Sequence, residues 1–222
     1  ESGRDVPAVP ATFTKFPASL AGPYDEVTLS GDTVDWEVEL VVGIGRRADR
    51  VAEADGWHHV AGVAVGQDLS ERTVQLRPPV PQFSLGKSFP GFAPIGPYLV
   101  TADEVPDPHR LPVRLWVNGV LKQNFNTSDM AHKIPRCIEW VTSIHTLEPG
   151  DLLATGTNHR GLSAFQNGDL VELETEGLGR LRVNVRDDLK RTWARETRLE
   201  RQEKSLEGTT PQLTGKHTPG PR

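Results

Sequence analysis

The chain has 222 residues, 36% of them hydrophobic, with 21 Gly and 18 Pro; that is enough for one main domain with a substantial core, and it suits a β-rich fold with few long helices. Its 30 acidic side chains outnumber 25 Lys and Arg, for a net charge of -5, so nothing in the charge draws it to nucleic acid or to an anionic membrane. No apolar run approaches membrane-spanning length, the N-terminal "ESGRDVPAVPATF" lacks the regions of a signal peptide, and the single Cys137 excludes an internal disulfide, which makes the cytoplasm the default compartment.

Residues 1–33 are rich in Pro, Gly and Thr and predict an irregular segment laid over a core. "VDWEVEL" (34–40) then opens a strand that continues through Ile44. Side chains two apart point the same way in a strand, so Trp36, Val38 and Leu40 share one face and Asp35, Glu37 and Glu39 the other. "RRADRVAEADGW" is polar and partly helical in pattern, and "HHVAGVAVGQD" is a second buried strand that stops at Asp68. "LSERTVQL" predicts a short helix ended by Pro78 and Pro79, with Asp68, Arg72 and Gln75 along one face. "GKSFPGFAPIGPYLVT" has too many Gly and Pro for regular structure before Tyr98 and predicts a long loop.

"VRLWVNGVLKQN" predicts a hairpin about Asn118-Gly119, the pair that a type I′ turn prefers. In "IPRCIEWVTSIHTLEPGD", Ile134, Cys137, Ile138, Val141 and Ile144 fall on one helical face. "LLATGT" predicts a short buried strand, and "NGDLVELETEGLGRLRVNV" a second hairpin around Gly177 and Gly179. The division is therefore an irregular segment (1–33), a main domain (34–194) and a charged arm (195–222) that could lie against a partner subunit. "RETRLERQEKSLEG" in the arm is helix-compatible, while "TTPQLTGKHTPGPR" has a disordered composition.

Glu37, Glu39 and Asp68 place three carboxylates on or at the end of two buried strands. By spacing alone two readings stand. The acids face solvent on an edge strand while Asp68 caps the next helix, or together they hold a hard divalent cation, which prefers oxygen ligands. "GIGRR" is not read as a nucleotide loop, because the fuller glycine pattern and the following helix are missing.

The order and spacing of "FTKFPASLAGPYDEV", "VDWEVELVVGIGRRA", "VAGVAVGQDLSERTVQ", "GKSFPGFAPIGPYLVTADEVPDPHRL", "LWVNGVLKQNFNTSDM", "LEPGDLLATGT" and "GDLVELETEGLGRLRVNV" resemble the fumarylacetoacetate hydrolase superfamily from about residue 7 to 186. The resemblance implies a mostly β (α+β) fold, a mixed β-sandwich or roll, assembled as a homodimer. It implies that Glu37, Glu39 and Asp68 bind Mg²⁺, Mn²⁺ or Ca²⁺. It also implies that Arg72, Gln75 and Lys87 contact the substrate and stabilise an oxyanion, and that Thr157 of "TGT" offers a hydroxyl or amide to the substrate. The implied activity is metal-dependent cleavage of a carbon-carbon bond in a 2,4-dioxo acid, such as an acylpyruvate, through a metal-held enolate. Decarboxylation of oxaloacetate-like acids, hydration and isomerisation use the same enolate, and a non-catalytic metal- and ligand-binding protein is a further alternative.

Two features depart from the family pattern. Small members carry an upstream "NYxxHxxE" lid, and Glu1 matches the end of that pattern, so a histidine-bearing lid is expected before residue 1. "GTNHRGL" replaces the commoner "GTPxGVG", which makes His159 a candidate proton carrier near the pocket.

Overall fold

The computed structural model describes residues 6–206 and 210–215. Among them the strands in chain order are β1 (Leu20–Ala21), β2 (Glu26–Thr28), β3 (Val34–Asp35), β4 (Val38–Ile44), β5 (Val60–Gln67), β6 (Ser70–Glu71) and β7 (Ala93–Thr101). They continue with β8 (Pro112–Val117), β9 (Val120–Asn126), β10 (Leu152–Ala154), β11 (Leu170–Thr175), β12 (Arg180–Arg186), β13 (Thr192–Trp193) and β14 (Gln212–Thr214). The α-helices are short: α1 (Arg72–Gln75), α2 (Phe83–Gly86), α3 (Ile134–Thr142) and α4 (Arg198–Glu203).

Two five-stranded sheets carry the fold, ordered β1-β7-β5-β4-β10 and β2-β12-β11-β8-β9. Most pairs are antiparallel, and the parallel pairs β1–β7 and β12–β2 make both sheets mixed. Leu40, Val42, Val63 and Val65 of the first sheet join Leu115, Val171, Leu173, Leu181 and Val183 of the second in one core, each buried side chain contributing about 1.5–3 kcal/mol. β12 alternates exposed and buried along its length, as a strand with one wet face should. β4 is buried throughout, so its acid-bearing face is covered as well. This is the mixed β-sandwich expected from the resemblance.

Several local expectations hold. Asn118 and Gly119 both take positive φ, 52° and 76°, as a type I′ turn requires. β11 and β12 form the second hairpin, and α3 starts with Pro135 in its first turn and buries Ile134 and Ile138. Others are corrected. α3 ends at Thr142, so Ile144 lies beyond it and is 72% exposed. β10 pairs only with β4 and leaves Leu152 45% exposed, so it is an edge strand and not a buried one.

The expected loop before Tyr98 holds for residues 87–92, but its second part, 93–97, is the first half of the nine-residue β7. Its pairing with β5 slips between Val63 and Val65, which face Val100 and Gly96. The extra β7 residues, Pro97 among them, sit in that irregularity, where a missing N–H costs no ladder bond. In the arm, α4 carries a capping box between Thr197 and Glu200, and β14 pairs with β13, so both described parts of the arm pack on their own chain. The remainder of the predicted disordered tail lies outside the described residues. Among the described residues no helix is long and apolar enough to cross a membrane.

Candidate metal and substrate site

β4 and β5 are antiparallel neighbours with Val38 opposite Gln67. The residues just before β4 and just after β5 therefore meet at one end of the sheet, where the Asp68 N–H donates to the Glu37 carbonyl at 2.9 Å. The predicted single strand from Val34 is interrupted at Trp36 and Glu37: β3 turns aside to pair with β6, Asp35 opposite Ser70. One carboxylate oxygen each from Glu37, Glu39 and Asp68 lies within 4.8 Å of the others, and all three residues are buried. The edge-strand reading, with the acids in solvent, is excluded by that burial.

α1 starts one turn later than the spacing suggests. Its N-cap is Glu71, whose carboxylate accepts from the Thr73 and Val74 amides, so Asp68 precedes the helix and does not share a face with Arg72 and Gln75. The three still converge, through Glu37. Arg72 Nη2 donates to Glu37 Oε1 at 2.6 Å, its Nη1 to Gln75 Oε1 at 2.6 Å and its Nε to Asp35 Oδ2 at 2.8 Å. Lys87 Nζ donates to Glu37 Oε2 at 2.9 Å, to Asp68 Oδ2 at 2.6 Å and to Ser70 Oγ at 2.6 Å.

These pairs sort the acids. Burial pushes the Glu37 carboxyl up, but the charges of Arg72 and Lys87 outweigh it and hold it at about 2. Among the described residues Glu39 accepts one hydrogen bond, from the Gly156 amide at 2.9 Å. Burial and the charges of Asp68 and Glu37 push its carboxyl up to about 8. Burial would lower the Lys87 ammonium, yet Glu37 and Asp68 raise it above its usual range. The Arg72 guanidinium is likewise raised: burial opposes its charge, and Asp35 and Glu37 overcome the opposition.

Thr157 sits in the loop after β10, where its hydroxyl donates to the Val38 carbonyl at 2.7 Å and accepts from Gln123 Nε2 at 2.9 Å. That hydroxyl has given its one proton to the backbone, which leaves the amide as the group Thr157 could offer a ligand. His159, two residues on, is exposed.

Sequence reasoning passed over four contributors. Lys15, in the N-terminal segment, donates to Asp68 Oδ1 at 2.6 Å, to the Phe92 carbonyl at 3.1 Å and to the Lys87 carbonyl. Asp35 anchors Arg72, Arg198 of α4 joins Asp35 at 3.0 Å, and Gln123 joins Val38 to the Thr157 loop. The quoted stretch "FTKFPASL" holds the only signal for Lys15. Gly86 is also required: a Cβ there would lie 2.7 Å from the Gln75 backbone nitrogen. Gly86→Ala is expected to cost about 1–3 kcal/mol by overpacking, read as a lower midpoint in urea unfolding.

The donor set fits a hard divalent ion. All three ligands are oxygen, as Mg²⁺, Mn²⁺ and Ca²⁺ prefer. Glu37 and Asp68 each face two cationic side chains, whereas Glu39 faces none in its hydrogen bonds. Lys87 acts on Glu39 only from a distance, and a divalent ion would bring positive charge into direct contact with it.

The family pattern described as "Fumarylacetoacetate (FAA) hydrolase C-terminal" matches residues 1–186. The human mitochondrial oxaloacetate tautomerase FAHD2A is 43% identical over 188 residues, covering 81% of this chain and 60% of that protein. The chain thus spans about three fifths of the human relative's length. The structure of 2-hydroxyhepta-2,4-diene-1,7-dioate isomerase from Mycobacterium marinum has a TM-score of 0.77 at 35% identity, over 82% of this chain and 71% of that one. Maleylpyruvate hydrolase from Sphingobium sp. SYK-6 has a TM-score of 0.72 at 34% identity, over 79% and 64%.

Proposed function

The chain belongs to the fumarylacetoacetate hydrolase family, and on that premise we propose that it is a divalent-metal-dependent enzyme that enolises a small oxo acid, interconverting tautomers or shifting a double bond. The observation that carries the reading is the pair of buried cations, Lys87 and Arg72, braced on Glu37 at the edge of the three-carboxylate cluster. Enolisation moves negative charge onto an oxygen, and fixed positive groups in a site shielded from water are what such a charge needs.

Mg²⁺, Mn²⁺ or Ca²⁺ held by Glu37, Glu39 and Asp68 would supply Lewis acidity toward neighbouring carbonyl oxygens. Lys87 keeps its proton because Glu37 and Asp68 outweigh its burial, and so holds a full positive charge beside the cluster. Arg72 is fixed at three nitrogens, by Asp35, Glu37 and Gln75. Gln75 gives its oxygen to Arg72 and retains its amide N–H groups for a substrate oxygen. The Thr157 amide is a further donor at the loop.

Carbon-carbon hydrolysis of a 2,4-dioxo acid, the activity foremost in the sequence reading, becomes the second reading, favoured by the likeness to the Sphingobium hydrolase. It needs in addition a base that activates water, for which His159 is the candidate in this chain. A homodimer belongs to the same proposal, supported by Leu99 of β7 and Leu152 of the edge strand β10, each about half exposed on the first sheet.

The test is the rate of keto-enol interconversion of oxaloacetate, followed by enol absorbance with Mg²⁺ or Mn²⁺. Acceleration that EDTA abolishes, and that Lys87→Met lowers by about 10²–10³-fold, is the expected result. No acceleration, with cleavage of acylpyruvates by the same protein, would transfer the assignment to the hydrolase reading.

A further inference from the structure

The arm from residue 195, beyond the family match that ends at residue 186, reaches the site. Its backbone is pinned first. The Arg198 amide donates to the Leu162 carbonyl at 2.9 Å and the Leu199 amide to Arg160 at 2.8 Å. Lys122 Nζ holds the Arg195 carbonyl at 3.0 Å, and the Arg195 guanidinium grips Asp169 at 2.8 and 2.6 Å. With α4 capped at Thr197, the Arg198 side chain arrives from a fixed point.

It ends on Asp35. Oδ2 of that buried carboxylate accepts from Arg198 Nη2 at 3.0 Å and from Arg72 Nε at 2.8 Å, while Oδ1 is buried with no hydrogen-bond partner among the described residues. A guanidinium alone with a carboxylate favours two parallel hydrogen bonds, one to each oxygen. Arg72 does not adopt that arrangement: its Nη2 is on Glu37 and its Nη1 on Gln75.

We infer that Arg198 and Asp35 are positioning residues: by sharing Oδ2, the C-terminal arm keeps Arg72 end-on to Asp35, so that its terminal nitrogens remain on Glu37 and Gln75. Without Arg198, the open Oδ1 draws Arg72 Nη2 away from Glu37 into a two-pronged pair with Asp35. The consequence for ligand binding rests on the reading of Arg72 as a substrate-facing cation.

Crystal structures of Arg198→Met and Arg198→Lys, with isotherms for oxalate on the Mn²⁺-loaded proteins, test this. In Arg198→Met, Arg72 is expected to bond both oxygens of Asp35 and to leave Glu37, and oxalate Kd to weaken about tenfold, as loss of one well-aligned charged contact implies. Arg198→Lys, which restores a cation at Oδ2, is expected to return Arg72 to Glu37 and to bind oxalate within about threefold of the parent. Unmoved Arg72 contacts in Arg198→Met, or equal oxalate affinities for the Met and Lys variants, would overturn the inference. A parent protein that takes up Mn²⁺ but no oxalate would instead remove the proposed function, while the position of Arg72 in the Met variant would still decide the role of Arg198.

Discussion

Glu37→Ala is expected to cost the metal-free protein about 3–5 kcal/mol, the range for breaking a buried ion pair from one side, whereas Glu39→Gln is expected to stabilise it at pH 7. The two acids are two residues apart in one metal-ligand set, yet their surroundings are opposite. Glu37 lies between Arg72 and Lys87, and the three side chains are all at most 6% exposed, so its removal strands two buried cations. Glu39 has the Gly156 amide and two like charges beside it.

The sign follows from the direction of the shift. The Glu39 carboxyl is raised to about 8 in the folded chain, above its value in the unfolded chain, about 4.3. Its contribution to stability is complete below the unfolded value and is lost as the pH rises through 8. Glutamine does not titrate, so Glu39→Gln should match the parent near pH 4 and exceed it increasingly as the pH rises toward 8. Urea unfolding in EDTA across that range checks both variants. Equal losses for Glu37→Ala and Glu39→Gln at pH 7 would contradict the charge distribution described.

Asp187→Ala is the second large effect, about 3–5 kcal/mol at neutral pH. Arg191 is 1% exposed, and its guanidinium pairs with Asp187 through Nε at 2.9 Å and Nη2 at 3.0 Å, donates to the Gly31 carbonyl through Nη1 and lies 5.2 Å over the Trp193 ring. Without Asp187 that buried charge is left with the more distant carboxylate of Asp32, whose Oδ1 lies 3.9 Å from Nη1. Arg191→Met should cost less, because Asp187 keeps hydrogen bonds from the Leu189 backbone amide and that of residue 191. Burial alone would raise the Asp187 carboxyl, but the Arg191 hydrogen bonds hold it below its usual range. Its stabilisation is therefore present above the unfolded Asp value, about 3.9, and lost as the pH falls through the folded value. Guanidinium unfolding of both variants at pH 7 and pH 3 reads the difference, which should shrink at the lower pH.

Local signals in the sequence carried the elements that are locally encoded. β4 follows from the alternation of "WEVEL" running into Val41, Val42 and Ile44, β5 from its apolar run, the β8–β9 hairpin from Asn118-Gly119, and the acid-bearing face from the two-residue period of "WEVEL". β7 was hidden because Pro97 is tolerated where the ladder with β5 slips, and that slip depends on the partner strand. The start of α1 was misplaced because Glu71 caps it and β6 intervenes after Asp68.

At the site, the carboxylates and the cations Arg72 and Lys87 could be found from spacing and resemblance, but Lys15 and Arg198 could not. Lys15 meets Asp68 across 53 residues and Arg198 meets Asp35 across 163. A lone lysine in an irregular segment, or an arginine on a charged helix, has no local pattern that marks it. Only the closed sandwich brings those segments to the end of the first sheet.

The central claim is that Glu37, Glu39 and Asp68 together hold one divalent ion, and a Mn²⁺ titration followed by electron paramagnetic resonance on the parent and on Glu39→Gln tests it most directly. One Mn²⁺ bound per chain by the parent, with that binding lost in the folded Glu39→Gln variant, is the predicted result. No binding by the parent, or undiminished binding by Glu39→Gln, would contradict it.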